Sequence, residues 1–167
     1  DRRAARQAVE TLISLGHKKI AVVGGHRYYS DTSLKRWEGA LDALEEHGLT
    51  IDPEVDYATA YFSPEGGSTG AEELLRRKRE FTAIFAMSDV MAIGAIRALR
   101  EAGRNVPEDV SVIGFDGLAM GEYTVPIYAQ WKYGKGTVGS FMCDLNGKWS
   151  NDFLSKVNAE GEEDDSG

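Results

Sequence analysis

Ala83-Ile84-Phe85-Ala86-Met87-Ser88-Asp89-Val90-Met91-Ala92-Ile93-Gly94 is the stretch on which the fold turns. Its first five residues form a short, continuous apolar run, as a strand needs when a parallel sheet is covered on both faces. Ser88-Asp89 then offers a hydroxyl and a carboxylate of the kind that caps a helix N-terminus. An apolar, alanine-rich run follows to Ala102, and Gly103 is placed to end it in the left-handed conformation. A strand that runs straight into a helix is half of a βαβ unit.

The same grammar extends in both directions. Downstream, residues 110–115 read as a further buried strand. Upstream, Ile20-Ala21-Val22-Val23-Gly24-Gly25 is another, and Leu34, Trp37, Leu41 and Leu44 recur at helical spacing as far as Gly48. After the Asp52-Pro53 turn, residues 55–62 read as a strand. Ser63-Pro64-Glu65 then opens a helix with an N-cap hydroxyl, a proline in the first position and an acid in the first turn, running to about residue 78. Ala5, Ala8, Val9, Leu12 and Ile13 place one more helix over residues 4–15, stopped by Gly16. Four strands separated by three helices, with a helix in front, predict an α/β fold with a parallel, doubly wound sheet.

A chain of 167 residues that is 42% hydrophobic and 28% charged has the make-up of one globular domain with a real core. No run of eighteen apolar residues occurs, so no membrane contact is expected. The chain opens on Asp1-Arg2-Arg3 without a methionine, from which we expect a piece of a longer protein. Cys143 is the only cysteine, which excludes an intrachain disulfide and a cysteine metal cluster and suits a reducing cytoplasm. Five of the eight net negative charges belong to Glu160, Glu162, Glu163, Asp164 and Asp165, which leaves three for the body. Such a body is not expected to grip a phosphate backbone, which needs clustered cations on one face.

In an open α/β sheet, ligands lie beyond the carboxyl ends of the strands. The candidates there are Gly24 to Tyr29 and then Lys35 and Arg36 after the first strand, Phe62-Ser63 after the second, Ser88-Asp89 after the third and Asp116-Gly117 after the fourth. An arginine fork and a carboxylate suit vicinal hydroxyls, and an aromatic face suits the apolar side of a sugar ring, so the set points to a neutral polyol. Each member also has a purely structural reading: Ser88 and Asp89 as N-cap residues, Asp116 as a turn aspartate, Phe62 as core, Arg36 as a solvated helix residue. Other chemistries lack parts. Gly24-Gly25-His26 does not have the G-x-G-x-x-G spacing of a dinucleotide loop. His17, His26 and His47 form no i, i+4 pair for a metal, and no G-x-S-x-G elbow is present. No metal, cofactor or catalytic residue is expected. Arg76-Arg77-Lys78-Arg79 falls at a helix end, where cations oppose the negative end of the dipole, and reads as a solvated face. Residues 90–99 are apolar nearly all round, either because the helix is wholly buried or because its far side meets another surface.

Four segments together resemble a known family. Leu15-Gly16-His17-Lys18-Lys19-Ile20-Ala21, the Arg36 and Gly39 pair, residues 83–94, and Val106-Pro107-Glu108-Asp109-Val110-Ser111-Val112-Ile113-Gly114-Phe115-Asp116 look like the ligand-binding domain of LacI/GalR-type transcriptional regulators, in order over residues 1–126. The resemblance implies a periplasmic-binding-protein-like lobe, preceded in relatives by a helix-turn-helix head and a first lobe. It implies effector contacts from Arg36, Ser88 and Asp116, with Phe62 in an aromatic pocket position. Many relatives have asparagine where Ser88 stands. It further implies a homodimer through the helix bearing Ile93 and Ile96. Beyond residue 126 the likeness fades: residues 127–158 read as a diverged crossover strand and helix, and 159–167 as an acidic, disordered tail.

The expected function is therefore effector sensing in a cytoplasmic, LacI-type repressor. A small molecule, a sugar or related metabolite, would bind between two lobes and alter the affinity of the missing head for operator DNA. The alternative is an extracytoplasmic sugar-binding protein of a transporter, which shares the fold. An enzyme is the third reading and the sequence offers it no base and nucleophile.

Overall fold

The computed structural model describes residues 1–115 throughout and, beyond them, the backbone of three short strands. The order is α1 (Arg2–Ser14), β1 (Ile20–Gly24), α2 (Asp31–Glu46), β2 (Tyr57–Thr59), α3 (Pro64–Arg76), β3 (Ala83–Ala86), α4 (Asp89–Glu101), β4 (Ser111–Ile113), β5 (Leu118–Met120), β6 (Tyr123–Val125) and β7 (Tyr128–Ala129). The predicted α/β fold is present: β1 pairs in parallel with β2 and β3, and β3 with β4, while β7 closes the sheet antiparallel to β4. The strand order is β2-β1-β3-β4-β7, and β5 and β6 form a separate two-stranded ribbon.

This order decides where the site is. The chain leaves β1 through α2 for β2 on one side, then returns through α3 past β1 to β3 and steps on through α4 to β4. Right-handed crossovers therefore put α2 on one face and α3 and α4 on the other, and the contacts agree, with α1 packed on α2 and α3 on α4. The connections after β1 and after β3, which are neighbours in the sheet, run to opposite faces and open a crevice between them at their carboxyl ends. Because both faces are covered, every residue of β1, β3 and β4 is buried. Phe85, Leu12, Leu44, Leu74, Ile84, Met91 and Leu99 are the large side chains of the core.

The predicted stops at Gly16, Gly48 and Gly103 all have positive φ, of 97°, 66° and 79°. Helix α3 ends differently: Lys78 takes the left-handed position, at φ 53°, where a side chain costs about 1 kcal/mol or more. Helices α3 and α4 touch backbone to backbone near their N-termini. A Cβ on Gly94 would overlap the Pro64 carbonyl, and one on Gly67 the Met91 carbonyl. Ser68 Oγ donates to the Gly94 carbonyl at 2.9 Å across the same crossing.

Two expectations are corrected. The second strand is confined to Tyr57–Thr59 instead of filling residues 55–62. At its start Asp56 folds back, its carboxylate accepting from the Asp52 amide at 2.8 Å, and at its end Ser63 N donates to the Tyr61 carbonyl, turning the chain off the sheet. The basic run is also more than a solvated face. Arg77 Nη1 donates to the carbonyls of Val55 and Tyr57 at 3.2 and 2.8 Å, and Arg79 pairs with Asp56 at 2.6 Å, so two of the four cations hold the outer edge of β2.

His17 is a structural tie. Its ring nitrogens meet Thr82 Oγ1 at 2.8 Å and Ser111 Oγ at 2.9 Å, joining the entry to β1 with those of β3 and β4. Burial pushes its pKa below the ordinary value of 6.5.

Candidate functional site

Three helices start at the carboxyl edge of the sheet, and each is capped by a serine. Ser30 accepts from Ser33 N at 3.2 Å, Ser63 from Gly66 N at 2.9 Å and Ser88 from Met91 N at 3.3 Å. Their amide ends and hydroxyls therefore face one rim. Ser88 is thus an N-cap, as its structural reading held, while its hydroxyl still lies beside the crevice; it is only 7% exposed.

Arg36 crosses the floor of that rim. It lies one turn into α2 past Ser33 and is 4% exposed, so it is not a solvated helix residue. Its Nη1 donates to the Met87 carbonyl at the exit of β3, and its Nη2 stands 3.7 Å from Asp1 Oδ2. The Phe115 ring lies with its centroid 4.2 Å from the guanidinium carbon and the Phe62 ring with its centroid 6.0 Å away. One side chain on the β1 side of the crevice is thereby tied to β3, to the start of α1 and to the aromatic residue that ends β4. Phe62 itself is 43% exposed, which places it at the mouth and not in the core. Asp116, the remaining predicted contact, lies outside the described residues. So do Cys143 and the segments 130–158 and 159–167.

The connection from β1 to α2 adds a second cluster. Tyr57 donates its hydroxyl to the Gly25 carbonyl and also meets Met87 Sδ at 3.6 Å. Burial pushes the Tyr57 phenol far above its ordinary value, against the opposing pull of the nearby Arg27 cation. Arg27 packs among the rings of Tyr57, Trp37 and Tyr28. Asp1, Ser30 and Phe115 join the rim although the sequence reading did not single them out. Asp1 meets Arg36 only through the packing of α1 on α2, and no spacing rule links positions so far apart.

On α4 the apolar surplus is resolved into a stripe. Met91, Ala92, Ala95, Ala98 and Leu99 are buried, Ile96 and Val90 are half-buried, and Ile93 is 42% exposed. Ile93 and Ile96 thus stand on the outward side, three residues apart.

Two concavities of about 600 and 460 Å³ lie at the opposite, amino edge of the strands, with Lys18, Lys19, Arg79 and Glu80 in both walls. Helix C-termini converge there, and their negative dipole ends account for the cations. Lys19 is paired with Glu80 at 2.6 Å, and Arg79 is held by Asp56. Arginine, hydroxyl and aromatic groups meet instead at the carboxyl rim. Among the described residues no group of three His, Cys, Asp or Glu is placed to hold a metal, and no helix is long and apolar enough to cross a membrane.

The fold is that of one lobe of a periplasmic-binding-protein-like domain, with its polar rim at the topological switch point. The chain belongs to the periplasmic binding protein-like domain family, whose model matches residues 9–142, in the form carried by LacI-type transcriptional regulators. It is 45% identical over 125 residues to the HTH-type transcriptional regulator AscG of Escherichia coli, covering 75% of this chain and 37% of AscG. The crystal structure of a sugar-binding LacI-family regulator from Escherichia coli, complexed with phosphate, superposes with a TM-score of 0.67 at 44% identity, over 71% of this chain and 42% of that one. The regulator CelR in complex with cellobiose superposes with a TM-score of 0.63 at 37% identity, over 66% of this chain and 33% of that one. The chain thus spans well under half the length of these relatives.

Proposed function

We propose that this lobe senses a small effector, a sugar or related metabolite, for a LacI-type repressor that works in the cytoplasm. The effector binds at the carboxyl rim against a companion lobe, in contact with the wall that Arg36, Phe62, Ser88 and Asp116 supply. Its tighter binding to one lobe arrangement changes the affinity of a helix-turn-helix head for operator DNA. Two copies pair through the α4 stripe that includes Ile93 and Ile96.

The observation that carries this reading is Arg36. A guanidinium buried at the switch point, bonded to the strand on the far side of the crevice and stacked on Phe115, couples the two walls of the site. A ligand that reorders its neighbours changes how α1, α2 and β3 sit together. The relatives named above are regulators, which favours sensing over transport and over catalysis. The crystallised relatives with phosphate and with cellobiose support a polar, oxygen-rich ligand.

The test is Arg36→Ala in the full-length protein. Effector titration by calorimetry is expected to show at least a tenfold rise in Kd, while operator binding in a gel-shift assay persists and thermal melting shows a folded variant. An unchanged Kd would remove Arg36 from the effector site.

A further inference from the structure

Four arginines among the described residues are buried or half-buried: Arg6, Arg27, Arg36 and Arg77. Three of them face carboxylates, Arg6 with Glu10 and Glu46, Arg36 with Asp1, and Arg77 with Glu73. Arg27 does not. Its guanidinium carbon lies 4.6 Å from the centroid of Tyr57, 5.2 Å from that of Trp37 and 5.5 Å from that of Tyr28. Among the described residues no carboxylate stands within ion-pairing distance of it, and no acceptor takes a hydrogen bond from it. The acid next along the chain, Asp31, is bound to Lys35 at 2.7 Å.

The cluster is rigid on its inner side. Trp37 and Tyr57 are 7% and 3% exposed and meet edge to face at 5.2 Å. The Tyr57 hydroxyl also fixes the start of the loop through the Gly25 carbonyl. Aromatic rings attract a guanidinium and hold its position, but they accept none of its five N–H groups as a carbonyl or carboxylate would. A half-buried cation held this way, at the carboxyl end of β1 and beside the N-terminus of α2, is preorganised to receive an anion, and its planar fork fits a carboxylate or a phosphate.

We propose that Arg27 is a specificity-determining residue that binds an anionic group on the effector, so that the lobe selects an acidic sugar derivative, a sugar acid or a sugar phosphate, over the neutral polyol that the sequence suggests. Tyr28, 79% exposed, adds a third ring with its centroid 5.5 Å from the guanidinium carbon. The inference rests on the reading of the carboxyl rim as the effector site. Arg36 then holds the floor of that site and Arg27 chooses what enters it.

Calorimetry on the full-length protein tests this with matched ligands: galactose against galacturonate, glucose against glucuronate, and glucose against glucose 6-phosphate. At least one anionic member is expected to bind roughly tenfold to a hundredfold tighter than its neutral partner, the range that charge-assisted hydrogen bonds supply. Whether the carboxylate or the phosphate gains more identifies the anion. Arg27→Gln is expected to cut the preference to less than about twofold, with the anionic member losing far more affinity than its neutral partner. Wild-type protein that binds neutral and anionic members equally overturns the inference, as does a preference that survives Arg27→Gln. If neutral sugars bind and Arg36→Ala abolishes that binding, the effector reading stands although Arg27 has been misassigned. If no member of any pair binds, both fall.

Discussion

Replacing Gly94 by alanine tests the crossing that sets the rim. Gly94 lies in the second turn of α4, and the new Cβ would overlap the Pro64 carbonyl and come within 2.8 Å of the Ser68 amide nitrogen. Both are backbone atoms of α3, so no side-chain rotation relieves the contact and the two helices must separate. Overpacking of this kind costs about 1–3 kcal/mol. Separation also stretches the Ser68 hydroxyl bond to the Gly94 carbonyl, for about 1 kcal/mol more. Against this, alanine is the better helix former by about 1 kcal/mol. The balance is a loss of about 1–3 kcal/mol, or roughly 1 M in the urea midpoint at a slope of about 2 kcal/mol per M. The crossing lies close behind Ser63 and Ser88, so effector affinity should fall as well. Urea unfolding followed by tryptophan fluorescence reads the first effect and calorimetry the second. A Gly94→Ala protein as stable as wild type would refute the claim that these helices meet backbone to backbone.

Other expectations follow from single residues. Lys78→Gly should raise stability by about 0.5–1 kcal/mol, because relief of the left-handed strain exceeds the extra entropy that glycine gives the unfolded chain; a lower melting temperature would contradict it. His17 binds its proton less well in the folded protein than its ordinary value of 6.5 implies, so its contribution is complete above pH 6.5. It is lost as the pH falls from there through the lower folded value, while the unfolded chain takes up the proton first. Denaturant melts from pH 7.5 to 5 should therefore show a decline in wild type that flattens in His17→Gln, and parallel curves would exclude His17 as the cause. Ile93→Glu on the outward stripe of α4 should convert dimers to monomers in sedimentation without lowering the melting temperature of the isolated subunit. An unchanged dimer would move the interface elsewhere.

The strands and helices were legible because each depends on neighbours in sequence. A continuous apolar run such as Ala83 to Met87, a serine N-cap and a glycine stop act over four or five residues, and all of those signals were obeyed. What failed involved long-range partners. The second strand ends early because Asp56 turns back on Asp52 and the chain leaves an edge that has only β1 beside it. Arg77 and Arg79 look like solvated cations at a helix end until β2, some twenty residues away, is found to present the carbonyls of Val55 and Tyr57 and the Asp56 carboxylate to them. The glycines at positions 67 and 94 look like weak points of two helices until the helices are seen to touch there.

The same limit separates the two arginines of the rim. By position alone Arg27 and Arg36 are alike: both follow β1, both precede or enter α2, and either suits a polyol. Their surroundings make them opposites. Arg36 is committed to the protein itself, through the Met87 carbonyl, Asp1 and the face of Phe115, so substitution there disturbs three elements at once. Arg27 is held only by ring faces, so its hydrogen-bonding edge is left for something the described residues do not supply. Spacing along the chain ranks the two alike, and only the neighbours that the fold brings in from β2, β3, β4 and α1 tell them apart.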